Sequence, residues 1–149
     1  QTFHQKNVRP GRSINDVTQS TWMFLENLLF ERFFAHGGIA KREYDRAGIE
    51  VTNSNAIRDG LVKPHGISHL MGEQEHDGDP VRIYGAIPMR EGWMISNEPG
   101  IYGHFTIKLQ GKNYSDWIGI RLEDDLLLTK TGCVNLSKNF PHTTDEIES

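Results

Sequence analysis

Apolar residues recur at helical spacing in the first third of the chain and at strand spacing after about residue 49. Val17, Thr21, Phe24, Leu25 and Leu28 fall three or four apart, so they share one face of a helix predicted over residues 13–36. Ser13 is placed to cap it, with Asp16 three residues on. Arg32 and His36 fall in the last turn, and Gly37-Gly38 ends it. Trp22, Phe24, Phe30, Phe33 and Phe34 read as aromatic core packed on a sheet rather than as a cofactor box. Residues 1–9 read as the end of an earlier helix stopped by Pro10-Gly11, and residues 41–47 as a short helix closed by Gly48.

Beyond residue 49 the runs shorten and are punctuated by Gly and Pro. Residues 81–84, 93–97, 105–109, 118–123 and 126–129 read as strands, with turns at 88–92 and 130–132. Within 118–123, Arg121 and Glu123 share one face while Ile120 and Leu122 point to the other, towards a core. Helices followed by a cluster of strands predict an α+β fold, a long helix packed on a curved, mainly antiparallel sheet. The acidic tail at 143–149 reads as a capped final turn or a frayed end, and neither an internal repeat nor a low-complexity segment is present.

Between the two patterns lies a stretch that fits neither. Residues 64–80, Pro-His-Gly-Ile-Ser-His-Leu-Met-Gly-Glu-Gln-Glu-His-Asp-Gly-Asp-Pro, hold His65, His69 and His76, three of the seven histidines. Imidazoles beside carboxylates suit metal ligation or proton transfer near neutral pH, although solvated turns also carry such residues. Two downstream runs weigh against the solvated turn. Ser-Asn-Glu-Pro-Gly-Ile-Tyr puts Glu98 at the end of an apolar run, and Gly-Ile-Arg-Leu-Glu-Asp-Asp puts Glu123 inside a strand-like one. A carboxylate in such a setting needs a cation or a donor to offset its desolvation, and one shared metal site would serve both. His69, Glu98 and Glu123 form a nitrogen-and-carboxylate set suited to manganese, cobalt, zinc or iron. Arg121 is placed to orient a ligating carboxylate, or else forms an ordinary strand-face ion pair.

Composition narrows the classes further. The 149 residues, 36% hydrophobic and 24% charged, suffice for one domain with a real core. A net charge of -4 and a pI near 6.0, with Lys and Arg scattered, argue against nucleic acid. Cys133 is the only cysteine, so it forms no disulfide within the chain, and it reads as a buried apolar residue rather than a ligand. No apolar run approaches the ~20 residues a bilayer requires, and residues 1–6 lack a signal peptide's apolar core, so a cytoplasmic location is expected. The chain opens on Gln1 rather than Met, which suggests a fragment or a processed or trimmed chain.

The order His-Gly-x-x-His, His-Asp, Asn-Glu-Pro-Gly-Ile-Tyr, Gly-Ile-Arg-x-Glu-Asp and Thr-x-Thr-Gly-Cys resembles the pita-bread metallopeptidases, in their Xaa-Pro aminopeptidase and prolidase branch. The likeness runs from about Arg9-Pro-Gly to the end. It implies that His69, Glu98 and Glu123 are metal ligands, that Glu98 is also the general base, and that His65 and His76 line the substrate site. His76 would donate a hydrogen bond to the scissile carbonyl, and Arg121 and Tyr102 would support ligands or substrate. It further implies two divalent ions, manganese first among the candidates, and a peptide substrate with proline at its second position.

One departure from the family pattern stands out. The family draws two further ligands from aspartates that precede the long helix, and residues 1–12 contain no Asp. Residues 1–149 are therefore expected to form the C-terminal portion of the catalytic domain, about half of its pseudo-symmetric fold and three of five ligands. Such a chain would be inactive alone and would associate with a missing N-terminal half or with itself. The alternatives are a non-catalytic peptide- or protein-binding module on the same fold, or a metal enzyme of that scaffold acting on a non-peptide substrate.

Overall fold

The computed structural model describes residues 1–33, 49–51, 65–77, 84–109 and 112–149. The chain is α+β and divides into two compact units. The first comprises Gln1–Trp22, His65–Pro99 and Arg121–Ser149, and the second Met23–Pro64 and Gly100–Ile120.

Two helices open the first unit. Helix α1 (Thr2–Asn7) ends before the Pro10-Gly11 turn, where Gly11 takes a φ of 89° and donates its N–H to Met89 O at 3.0 Å. A positive φ there is the reason the turn needs glycine. Helix α2 (Ile14–Phe33) begins where the sequence predicts, with Ser13 Oγ accepting from the backbone of Asp16 at 3.1 Å. Its predicted end, residues 34–36, and the short helix at 41–47 lie outside the described residues. Trp22 is buried, but Phe24 is exposed, so the aromatic stripe does not form one continuous core face.

The sheet of this unit has four strands in the order β2-β3-β6-β7, antiparallel throughout: β2 (Leu70–Met71), β3 (Met94–Asn97), β6 (Asp124–Leu128) and β7 (Cys133–Asn135). Residues two apart share a face, so Ile95, Leu126 and Leu128 point together. They meet Ile14 and Val17 of α2, with Val8 and Met89, in one buried cluster. Each such side chain contributes about 1.5–3 kcal/mol on burial. Gly92, at a φ of 85°, turns the chain into β3 and donates to Leu128 O. The tail is capped rather than frayed: Thr143 and Glu146 form a reciprocal capping box at the start of α3 (Thr144–Glu148).

The second unit holds β1 (Ile49–Val51), β4 (Gly100–Leu109) and β5 (Lys112–Arg121, whose last residue falls in the first unit), in the order β1-β4-β5. Three strand expectations need correction. Glu123 is not inside a strand, because Leu122 and Glu123 form a break between β5 and β6. Ile120, expected to face a core, is 60% exposed. Tyr84 sits in a turn, while residues 81–83 lie outside the described residues. Among the described residues, no helix is long and apolar enough to cross a membrane.

Candidate metal centre

The histidine stretch is held to the rim of β3 by backbone bonds that extend the short β2 ladder. Ser96 N donates to His69 O at 3.0 Å, Glu98 N to Ile67 O at 2.9 Å, and His69 N to Ser96 Oγ at 2.9 Å. Ser68 Oγ donates to Ser96 O. These bonds set His69 beside Glu98 although 29 positions separate them in sequence. Ser96 and Glu98, two apart, share the face opposite to Ile95 and the core.

Glu98 is the hub, only 6% exposed. Its Oε1 lies 3.1 Å from His69 Nε2 and accepts from Ser96 Oγ at 3.1 Å. Its Oε2 lies 3.4 Å from Arg121 Nη1 and 3.8 Å from His65 Nδ1. Arg121 Nη2 also reaches Glu123 Oε2 at 3.8 Å. One guanidinium therefore stands between the two carboxylates and offsets their mutual repulsion. Burial pushes the Glu98 carboxyl up, but the bonds from His69 and Ser96 and the field of the two histidines outweigh it and hold it below the usual range. The bond to Glu98 raises the His69 imidazole against the effect of burial, helped by Leu70 O and Glu123.

His69 Nδ1 lies 3.2 Å from Leu70 O, a contact that leaves Nε2, the nitrogen facing Glu98, as the atom to take a cation in place of its proton. His76 is exposed and stacks on the His69 ring, with centroids 4.0 Å apart and planes 27° apart. The loop between them closes because Asp77 N donates to Leu70 O at 3.0 Å, and the Asp77 carboxylate occupies the space a Cβ on residue 72 would need. A side chain at Gly72 would displace that carboxylate.

One donor atom from each of His69, Glu98 and Glu123 lies within 4.8 Å of the other two. An ion bound at ~2.1 Å places neighbouring ligands ~3 Å apart and opposite ligands no more than ~4.3 Å apart. The His69–Glu98 spacing already meets this, and the Glu123 donor lies within 4.8 Å of both. One imidazole and two carboxylates suit a divalent first-row ion, so the residues present fit the group.

Six of the seven residues singled out in the sequence, His65, His69, His76, Glu98, Arg121 and Glu123, belong to the first unit. Tyr102 belongs to β4 of the second, where its ring lies over Gly100 and Gly119. Two contributors were missed. Ser96 bonds both His69 and Glu98, and its position two before Glu98 in a strand was the available signal. Asp124, beside Glu123, is buried and bonded to His142, for which sequence spacing offers no signal. Cys133 is half-buried and donates to Gln5 O at 3.4 Å, away from any ligand role, and burial pushes its thiol up.

Residues 4–130 match the metallopeptidase family M24. Among curated relatives, Xaa-Pro aminopeptidase of Escherichia coli is 33% identical over 144 residues, covering 95% of this chain and 29% of the relative. Xaa-Pro aminopeptidase 1 of Streptomyces coelicolor is 34% identical over 146 residues, covering 95% and 27%. Among solved structures, Escherichia coli aminopeptidase P with the inhibitor Pro-Leu superposes at a TM-score of 0.62 with 27% identity, over 97% of this chain and 30% of that one. A variant of the same enzyme in complex with substrate gives a TM-score of 0.63 at 26% identity, over 99% and 30%. The fold is thus the pita-bread fold in part, and the chain spans about 30% of the length of these relatives.

Proposed function

The chain belongs to metallopeptidase family M24, and from that premise we propose that it supplies the His69, Glu98 and Glu123 side of a metal centre that hydrolyses the peptide bond preceding proline. The observation that carries this reading is the convergence of the three donors within 4.8 Å on one rim of the sheet. A divalent ion held there acidifies water and polarises a carbonyl. Glu98, kept ionised by His69 and Ser96, takes the proton of the attacking water. His76, stacked on His69 and exposed, donates to the scissile carbonyl, and His65 borders the substrate on the other side of Glu98. Arg121, within reach of both carboxylates, orients Glu98 and Glu123, which with His69 would hold the ion. Manganese is the first candidate ion, and a peptide with proline at its second position the substrate.

Ligand count limits what the chain does alone. A second ion needs carboxylates beyond the three donors that converge among the described residues. The chain therefore holds one ion weakly, acts as the C-terminal portion of a larger catalytic domain, and by itself has little peptidase activity. Two measurements test this: Mn content by mass spectrometry, and cleavage of a Xaa-Pro dipeptide with added Mn. About one ion, lost in Glu98→Gln, with negligible turnover is the expected result. Two tightly held ions with turnover would refute the one-sided site, and no metal uptake at all would refute the metal reading.

A further inference from the structure

The Glu123 carboxylate is carried by a residue that no ladder holds. Leu122 and Glu123 lie between the end of β5 at Arg121 and the start of β6 at Asp124. Where Glu123 points therefore depends on how firmly Asp124 is fixed, since its Cα is only ~3.8 Å further along the chain. Asp124 is 3% exposed and stands opposite Asn97, the neighbour of Glu98, so this one cross-strand pair joins the backbones of both carboxylate donors.

A buried carboxylate at such a junction demands a partner. It has one in His142, whose Nε2 lies 2.7 Å from Asp124 Oδ1. His142 is only partly exposed, although the tail around it is exposed, and that tail is bound back at its root. Leu136 N donates to Asp125 O at 2.8 Å, and Asp125 N to Ser137 Oγ at 2.9 Å. Past His142, Glu146 Oε2 accepts from the backbone N–H groups of both His142 and Thr143, each at 2.9 Å, which sets the imidazole at the end of a fixed turn.

We propose that His142 is a positioning residue for the metal centre: by bonding Asp124 from behind the sheet, it fixes the start of β6 and so aims the Glu123 carboxylate at His69 and Glu98. The inference rests on the metal reading of Glu123. Without the imidazole the buried Asp124 carboxylate loses its hydrogen-bond donor and keeps only the field of the Gln1 α-amino group, the start of β6 shifts to reach water, and Glu123 moves with it.

The test is a Mn(II) titration of the full chain followed by electron paramagnetic resonance, with the Co(II) visible spectrum as a second view of the ligand geometry. His142→Ala should weaken Mn(II) by roughly tenfold, the scale of lost outer contacts at metal sites, and should change the Co(II) spectrum. His142→Gln, whose side-chain amide also offers a donor to Asp124, should restore affinity to within about twofold on the same scale. Thr143→Ala, which removes the helix cap but leaves the imidazole, should bind as the parent chain does. Parent-like binding by His142→Ala, or an equal loss in Thr143→Ala, would overturn the positioning role alone. A parent chain that takes up no metal would overturn the metal reading, and the positioning role with it.

Discussion

The two units draw on similar strand-forming sequence and use it differently. In the first, β6 alternates buried and half-buried positions, and its buried face, Leu126 and Leu128, packs with Ile95 against α2. In the second, residues 115–120 of β5 are all exposed, including Trp117 at 65%, Ile118 at 45% and Ile120 at 60%. Alternation becomes stabilisation only where another layer covers one face. The metal-ligand candidates sit on the covered sheet, which is where a site must be to hold side chains within about half an ångström of the geometry it needs.

Acid should expose the contrast most strongly. His4 is fully buried in the first unit, and its Nδ1 lies 2.9 Å from Thr21 Oγ1, which itself donates to Val17 O. Nδ1 must then carry the proton, and Nε2 has no partner that would welcome a second one. Burial first, then the nearby α-amino group and Arg12, depress its pKa to about 3. The unfolded chain binds this proton near pH 6.5 and the folded chain does not, so stability present above pH 6.5 is lost as pH falls towards 3. The whole window is worth on the order of 5 kcal/mol. Urea unfolding at a series of pH values should show this slope, and His4→Asn should flatten it.

Packing should separate the units next. Leu126→Ala removes a fully buried side chain from the first unit and should cost roughly 2–5 kcal/mol. Ile118→Ala in β5 should cost less than ~0.5 kcal/mol. Equal losses in denaturant midpoint would erase the distinction.

The open apolar strand predicts an effect on association rather than on stability. Trp117, Ile118 and Ile120 form a sticky stretch on β5, at the end of its sheet's order among the described residues. Sedimentation should depend on concentration, and Ile118→Lys with Ile120→Lys should shift the chain towards monomer. The smallest effect should come from Thr143→Ala, about 1 kcal/mol from the capping box, felt as faster amide exchange confined to α3.

Much of the site was legible because its residues lie in short motifs of local meaning. His65, His69 and His76 fall within one stretch, Glu98 ends an apolar run and Glu123 lies in a strand-like one, so their residue types and settings pointed to a cation. The start of α2 was legible for a similar reason, since a cap and a three-to-four repeat are local properties. Strand ends were less so. The sequence pattern put the break at Asp124-Asp125, between strands at 118–123 and 126–129, but it falls at Leu122 and Glu123, which carry no Gly or Pro to mark it, and β6 begins at Asp124. Nor does hydropathy state that Ile120 is left exposed, because that depends on what covers it.

Sequence by itself determined the helix start, the α+β class, the donor types and the family resemblance that the match over residues 4–130 bears out. Each of these is written in intervals of a few residues or in the order of motifs along the chain. Tertiary structure alone decided that His69 stands 3.1 Å from Glu98, that Arg121 spans both carboxylates, and that a histidine 18 positions past Asp124 bonds it from behind. Those contacts depend on strand register and on the path of the tail. A one-residue slip in register would turn Glu98 towards the core and Asn97 towards the His69 side, without any change in sequence.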